Sequence, residues 1–293
     1  MGFLGVGHVI LNLMHNLGFL AGVGAALAWG SYIVPFKKSG SKNLIQFQAL
    51  MGVGILISGM IFSLILNFPL ELNTYGFISG ILWAIANVIS LVALSNLGLS
   101  RAVPLMSSIV IISSFIWGTM IFKEIPSGRV QASFGIALII LGVILVSTTA
   151  KSVSPNIKKG LIAAILAGLI WGSQLAPLKI GNLSTREFFF PSCLGIFATA
   201  ALIALITKTR FKREALRESV LSGTIWNIGN LLSVVSISYI GLSKGQPISL
   251  SATLVAVLWG LFYFKEIKEI RKKLQVLIGA TILVTGVIIL GLA

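Results

Sequence analysis

Ten stretches of mostly apolar residues follow one another along this 293-residue chain. Each is about 20 residues long, which is the length that an α-helix needs to cross the roughly 30 Å hydrocarbon core of a bilayer. A helix also satisfies its own backbone hydrogen bonds, and lipid cannot do this for it. The stretches are 17–36, 44–66, 74–96, 102–122, 130–149, 159–178, 188–207, 219–240, 245–264 and 274–292. The sequence therefore predicts an all-α integral membrane protein with ten transmembrane helices.

The chain also contains an internal repeat. Residues 80–104 and 223–247 align without a gap and share eleven identities, among them Trp83 with Trp226 and Asn87 with Asn230. Residues 28–37 and 170–179, AWGSYIVPFK and IWGSQLAPLK, match at an offset of 142. Shorter matches join the fourth span to the ninth and the fifth to the tenth. We interpret the chain as two copies of a five-helix unit.

The odd number of spans in each copy determines how the two copies are related. After five crossings the second copy enters the membrane from the opposite side, so the sequence predicts two inverted five-helix repeats. Such repeats are typical of secondary transporters, which alternate access by exchanging the conformations of two equivalent halves. The predicted divisions are an apolar N-terminal extension (1–16), the first repeat (17–150), a linker (151–158) and the second repeat (159–293).

Prolines recur at equivalent positions in the two copies. Pro35 and Pro177 come near the ends of the first and sixth spans, where we expect a kink or an early stop because proline lacks the backbone N–H. Pro104 and Pro247 are expected in the first turn of the fourth and ninth spans, where a missing N–H costs little.

The charge distribution predicts the orientation in the membrane. The chain has 22 Lys and Arg against seven acidic residues, a net charge of +15. In a soluble protein this excess would suggest a nucleic-acid partner, but 17 of the basic residues lie in the odd-numbered loops, as the positive-inside rule requires of cytoplasmic loops. We therefore predict both termini outside the cytoplasm and no nucleic-acid partner. The single cysteine, Cys193, excludes an internal disulfide and a cysteine metal site.

Polar residues near the middle of two equivalent spans are the candidate binding groups. Trp83 and Asn87 share one helical face, as do Trp226 and Asn230. An amide in hydrocarbon needs partners, so these faces should point into the bundle, towards another helix or a water-filled cavity. The alternative interpretation is that the asparagines only hold helices together. Further candidates are Asn227, Gln174, Ser31, Trp29 and Trp171.

Aromatic rings and amides together favour a neutral, polyhydroxylated ligand. Indole faces cover the C–H surface of a sugar ring, and an amide both donates and accepts hydrogen bonds, as hydroxyl groups require. We find no constellation of acids, bases, nucleophiles or metal ligands, so we predict neither an enzyme nor a cofactor or metal ion. The expected partners are a small-molecule substrate and the lipid bilayer, with a monomer sufficient and a dimer left open.

Two segments of the first repeat resemble a known family. SYIVPFKK (31–38) and GFISGILWAIANVISLVALSNLGLSRAVPL (76–105) resemble the glucose/ribose porter and rhamnose transporter branch of the drug/metabolite transporter superfamily. The resemblance implies ten spans in two repeats and uptake of carbohydrate across a prokaryotic plasma membrane. The predicted external termini suit the rhamnose transporter type of topology.

Energy coupling and substrate charge leave alternatives open. All seven acidic residues lie in loops or at span ends, whereas proton-coupled carriers usually keep an ionisable side chain in the membrane, so we predict facilitated diffusion. Arg101 and Lys244 begin equivalent spans and are expected to extend to the membrane interface. The alternative is that they clamp an anionic substrate. The alternative function is an exporter or exchanger of amino acids, amphiphilic metabolites or phosphorylated or nucleotide sugars.

Overall fold

The computed structural model describes residues 2–39, 43–97, 99–124, 128–148, 156–213, 216–265 and 269–293. Within these ranges every regular element is a helix. The helices are α1 (Gly2–Ser31), α2 (Ile33–Ser39), α3 (Leu44–Ile65), α4 (Thr74–Leu97), α5 (Leu99–Ile116), α6 (Arg129–Ser147), α7 (Ile157–Ser173), α8 (Ala176–Ile180), α9 (Thr185–Ile206), α10 (Leu216–Ile240), α11 (Leu242–Leu250), α12 (Ala252–Leu258) and α13 (Ile270–Leu292). Two π-helical segments, π1 (Trp117–Ile121) and π2 (Trp259–Tyr263), continue α5 and α12.

The fold is that of a multi-pass membrane protein. Eight segments of the described chain are long and apolar enough to cross a bilayer. Two shorter apolar helical segments, Leu105–Ile121 and Arg129–Leu145, coincide with the fourth and fifth predicted spans. Helix α1 runs without a break through residue 17, where the sequence placed the end of an extension. Most of the predicted linker, residues 151–155, lies outside the described residues.

Proline interrupts the first and sixth spans as predicted. Helix α1 ends at Ser31 and α7 ends at Ser173, four residues before Pro35 and Pro177 respectively. A proline ring clashes with the carbonyl group four residues earlier, so each helix ends at the residue that would accept the missing hydrogen bond. The short helices α2 and α8 then continue the chain.

Pro247 does not lie in the first turn of its helix, so that prediction was wrong. Helix α11 begins at Leu242, directly after Gly241, whose φ of 84° is open to glycine but strained for other residues. The N–H of Gly245 donates to the Gly241 carbonyl, which completes a helical turn before the proline is reached. The helix therefore starts about one turn earlier than the proline suggested.

Equivalent helices of the two sequence copies make equivalent packing contacts. Helix α4 packs on α7 as α10 packs on α1, and α4 packs on α9 as α10 packs on α3. Helices α6 and α13 pack on each other. The closest crossings involve glycine: a Cβ atom added to Gly80 would lie 2.8 Å from the Cα of Gly195, and one added to Gly223 would lie 3.1 Å from the Cα of Gly54. Small residues allow such close approach of helices in a membrane.

A group of buried, largely hydrophobic side chains lies where α3, α4, α9 and α10 meet. It is a cluster of buried side chains that we call the central cluster: Phe47, Met51, Ile55, Trp83, Ala84, Phe189, Cys193, Ile196 and Trp226. Trp29 and Trp171, which are only partly buried, pack against it. Both copies of the repeat therefore contribute aromatic rings to one place.

Candidate functional site

Four tryptophans predicted from the repeat converge at the central cluster. The rings of Trp83 and Trp226 have centroids 4.5 Å apart at an angle of 52°, and both residues are about 5% exposed. Trp29 stacks on Trp226 with centroids 6.0 Å apart, and its Nε1–H donates to the Trp226 carbonyl at 3.1 Å. Trp171 packs on the same cluster from the second copy. These rings form an aromatic surface that neither half contains alone.

The indole N–H groups of the two flanking tryptophans differ in their bonding. Trp29 uses its N–H for the bond to the Trp226 backbone. The Nε1 of Trp171 is buried and has no hydrogen-bond partner in the described part of the protein. A buried donor without a partner costs free energy unless a ligand or water satisfies it. Trp171 therefore supplies an uncommitted donor beside the aromatic surface.

Asn227 is committed to holding helices together. It is fully buried, and its Nδ2 donates to the Ile55 carbonyl at 3.1 Å and to Ser58 Oγ at 3.0 Å. Its Oδ1 accepts from the Cys193 thiol at 3.3 Å and from Asn230 Nδ2 at 3.5 Å. An amide has two donors and two acceptor positions, and all four are occupied. The geometry therefore favours the helix-packing interpretation for Asn227 over contact with a ligand.

Asn87 and Asn230 occupy equivalent positions in the repeat but have different environments. Asn230 is 3% exposed, and its amide nitrogen reaches Asn227. Asn87 is half-buried, and its side-chain amide makes no hydrogen bond to any described residue. Ser90, one turn along α4, bonds only to the Asn87 backbone carbonyl. Asn87 therefore offers a free amide near the middle of a membrane-spanning helix.

The structure places Gln174 and Ser31 at the helix breaks. Gln174 follows the end of α7 and is buried, and its backbone carbonyl accepts from Ser79 Oγ. Ser31 is already bonded, because its Oγ accepts from Trp259 Nε1 at 2.9 Å. At the equivalent helix break after α7, Ser173 Oγ accepts from Trp117 Nε1 at 2.8 Å.

We call these two contacts the Trp–Ser bonds. Each joins a π-helical segment of one copy to a helix break of the other, and the sequence alone did not reveal either bond. The sequence did not indicate these contacts, since the partners of Trp117 and Trp259 lie 56 and 228 residues away.

Charged residues cluster where the chain turns between helices. Lys179 pairs with Glu124, with Nζ and Oε1 3.1 Å apart, and Glu124 Oε2 accepts from the backbone N–H of Ser243 at 3.0 Å. Elsewhere, Lys37 Nζ lies 4.3 Å from the Phe264 ring centroid, and partial burial lowers the pKa of Lys37 below its ordinary value. These contacts also join one copy to the other.

The predicted basic clamp stays a prediction. Lys244 is half-buried near the start of α11 and forms no ion pair with a described residue. The side chain of Arg101 lies outside the described part of the protein. Whether the two basic groups share a ligand is therefore not tested by the described part of the structure.

Comparisons with known proteins show the family and the fold of the chain. A family model described as "Sugar transport protein" matches residues 20–293. A "Probable glucose uptake protein GlcU" of Staphylococcus aureus is 31% identical over 293 residues, covering 95% of this chain and 99% of that protein. The "Glucose uptake protein GlcU" of Bacillus subtilis is 24% identical, covering 92% and 96%. A crystal structure with a TM-score of 0.72 and 16% identity covers 93% of this chain and 95% of that one, which shows a shared fold.

Proposed function

Because the chain belongs to the family of sugar transport proteins, we propose that it is a secondary carrier of a neutral monosaccharide across a prokaryotic plasma membrane. The names of its relatives make glucose the first sugar to test. One observation carries the proposal: an aromatic surface from both halves lies beside two uncommitted polar groups, the Asn87 amide and the Trp171 N–H. Indole rings cover the C–H face of a sugar, and these polar groups pair with its hydroxyls.

We propose further that the chain crosses the membrane ten times as two inverted repeats, 17–150 and 159–293, joined by residues 151–158. The equivalent packing of corresponding helices in the two copies supports this arrangement. So do contacts between distant loops. Gln46 Nε2 bonds to the Lys212 carbonyl, and ten crossings put both loops on one side. Arg186 bonds to the Asn67 carbonyl, and ten crossings put both of these on the other side. Positive charge assigns the first side to the cytoplasm and both termini to the outside.

The two Trp–Ser bonds are suited to close the two ends of the transport path. In the ten-crossing topology, Trp117 and Ser173 lie towards the outer ends of their spans, and Trp259 and Ser31 lie towards the inner ends. Each bond joins one half to the other. Rocking of the halves therefore breaks one bond while the other holds, and this is the motion that alternating access requires.

We propose facilitated diffusion as the mode of transport. The described acidic residues lie in loops or in the first turn of a helix, as Glu187 and Glu218 do, and none lies at mid-membrane. A carrier without an acid at the central site has no group there that loads and releases a proton as access alternates.

The site is tested by removing one uncommitted group at a time. Asn87→Ala deletes the free amide, and Trp171→Phe deletes the indole N–H while keeping an aromatic ring. Each change removes one hydrogen bond to substrate, so we expect sugar affinity to fall by about fivefold to tenfold, since such a bond contributes ~1 kcal/mol. The measurement is the sugar concentration dependence of the thermal shift of purified protein, for a panel of monosaccharides and amino acids.

Asn96→Ala is the matched control, because Asn96 lies on the same helix and bonds to the Val92 carbonyl away from the tryptophans. It should leave sugar affinity unchanged. Full sugar affinity in both Asn87→Ala and Trp171→Phe shows that the assigned site is wrong. A thermal shift with amino acids but with no sugar favours the exporter or exchanger alternative.

A further inference from the structure

A cavity lies close to the ion pair of Lys179 with Glu124. Its volume is about 640 Å³, and it lies between the chain from α8 to the start of α9 on one side and the last turns of α10 on the other. Small-molecule sites in proteins have volumes of ~300–1,000 Å³. Phe68, from the loop after α3, lines it as well. The cavity is therefore large enough for a sugar and is separate from the tryptophans of the central cluster.

The lining carries polar groups that have no partner. The side-chain amide of Asn182 and the hydroxyl of Tyr239 both line the cavity, and neither makes a hydrogen bond to a residue that the structure describes. Across the cavity, Thr185 Oγ1 and Ser238 Oγ lie 3.0 Å apart and join α9 to α10. An amide and hydroxyls beside an aromatic ring are the groups that match a sugar.

Two cations lie at the cavity, and each has a partner in the protein. Lys179 is paired with Glu124 at 3.1 Å. Arg186 donates to the neutral Asn67 carbonyl, and its guanidinium carbon lies 6.0 Å from the Phe68 ring centroid, so Arg186 keeps its positive charge. The uncharged groups of the lining, the Asn182 amide and the Tyr239 hydroxyl, suit a neutral ligand, and the sugar phosphate comparison below tests the contribution of Arg186.

Two phenylalanines connect this cavity to the central cluster. Phe68 packs edge-on against Phe189, with centroids 6.2 Å apart at 82°. Phe189 is fully buried and belongs to the same cluster as Trp83 and Trp226. The Phe68 ring thus contacts both the cavity and the central cluster.

We propose that this cavity is a second, peripheral binding site for the same neutral sugar, occupied before the sugar passes Phe68 to reach the tryptophans. The proposal rests on the proposed function, because it assumes that the carried solute is a sugar. The Asn182 amide and the Tyr239 hydroxyl bind hydroxyl groups of the sugar, and the Tyr239 ring covers part of its C–H surface.

The test is the number of sugar molecules bound per chain, measured by equilibrium dialysis of purified protein with labelled glucose. We expect two sites in the unmodified protein. Asn182→Gly keeps the positive φ of 46° that Asn182 adopts, and Tyr239→Phe removes only a hydroxyl, so both variants should fold. The double variant should keep the central site and weaken the peripheral one. Asn87→Ala should keep the peripheral site and weaken the central one. In each case we expect the affinity of the weakened site to fall about tenfold.

Leu72→Ala is the matched control, because Leu72 is 73% exposed and does not line the cavity. It should bind two molecules. If the unmodified protein binds one molecule, and this binding is weakened by Asn87→Ala but not by the double variant, the peripheral site is overturned. The proposed function then stands. No binding of any monosaccharide to the unmodified protein overturns the proposed function itself. Displacement of glucose from the peripheral site by a sugar phosphate at tenfold lower concentration overturns the neutral class of ligand.

Discussion

Asn87 and Asn230 show how equivalent residues of a repeat acquire different roles. The residue three positions before Asn230 is Asn227, whereas the one three positions before Asn87 is Ala84. Asn227 gives Asn230 a hydrogen-bonding neighbour, and Ala84 cannot do so for Asn87. The sequence predicted that both asparagines face the interior. It did not predict which is free, because that depends on Ser58 and Cys193, brought together from helices far apart in the chain.

Asn227 should matter for stability more than for sugar affinity. Asn227→Ala leaves the Ser58 hydroxyl, the Cys193 thiol and the Ile55 carbonyl without their common partner. A buried polar group that loses its partner costs ~1–3 kcal/mol, so we expect a clear fall in the melting temperature of the sugar-free protein in detergent.

Asn87→Ala is the matched comparison for that measurement. Its amide makes no hydrogen bond to a described residue, so the sugar-free melting temperature should stay near that of the unmodified protein. Equal losses in the two variants would show that Asn227 does not hold the helices together in the way described.

Among the helices, the two breaks could be predicted from proline. The Trp–Ser bonds could not be predicted, because no local sequence pattern indicates them. Pro35 and Pro177 predicted the interruptions, and the helices end four residues before them. The π-helical segments carry no such signal. Both segments, WGTMI and WGLFY, begin with Trp-Gly, and this dipeptide does not predict a π-helical turn.

Loss of one Trp–Ser bond should shift the equilibrium between closed and open conformations towards opening at that end alone. Trp117→Phe and Trp259→Phe each remove an indole N–H and keep a ring. The reporters are Ala176→Cys and Val34→Cys, equivalent buried positions beside the two helix breaks, in a Cys193→Ala background. With ~1 kcal/mol for the bond, Trp117→Phe should raise the labelling rate of Ala176→Cys about fivefold, and Trp259→Phe should do so for Val34→Cys.

The crossed combinations are the controls for this experiment. Trp117→Phe should not raise labelling of Val34→Cys, because closure at one end accompanies opening at the other. If either tryptophan variant raises labelling at both reporters alike, the bonds stabilise the whole bundle and do not act as gates.

At the scale of the whole molecule, composition and periodicity predicted the all-helical membrane fold, and this is confirmed. The match over residues 20–293 confirms the family, which the segment around Trp83 and Asn87 had already suggested. Ten apolar stretches were counted in the sequence, and eight described segments meet the criteria of length and hydropathy. The difference arises in the fourth and fifth spans, whose described helical segments, Leu105–Ile121 and Arg129–Leu145, are shorter than the other eight. The relation of the halves rests on long-range packing, which hydropathy does not report.

We propose that this chain carries a neutral sugar by exchanging access between two halves without an ion gradient. Counterflow measures this activity: vesicles containing the purified protein are loaded with unlabelled glucose and diluted into labelled glucose, with pH and sodium equal on both sides. We predict a transient accumulation of label above equilibrium, strongly reduced by Asn87→Ala and unaffected by Asn96→Ala. The absence of any overshoot with the unmodified protein contradicts a sugar carrier. Sustained accumulation driven by a pH gradient alone contradicts facilitated diffusion.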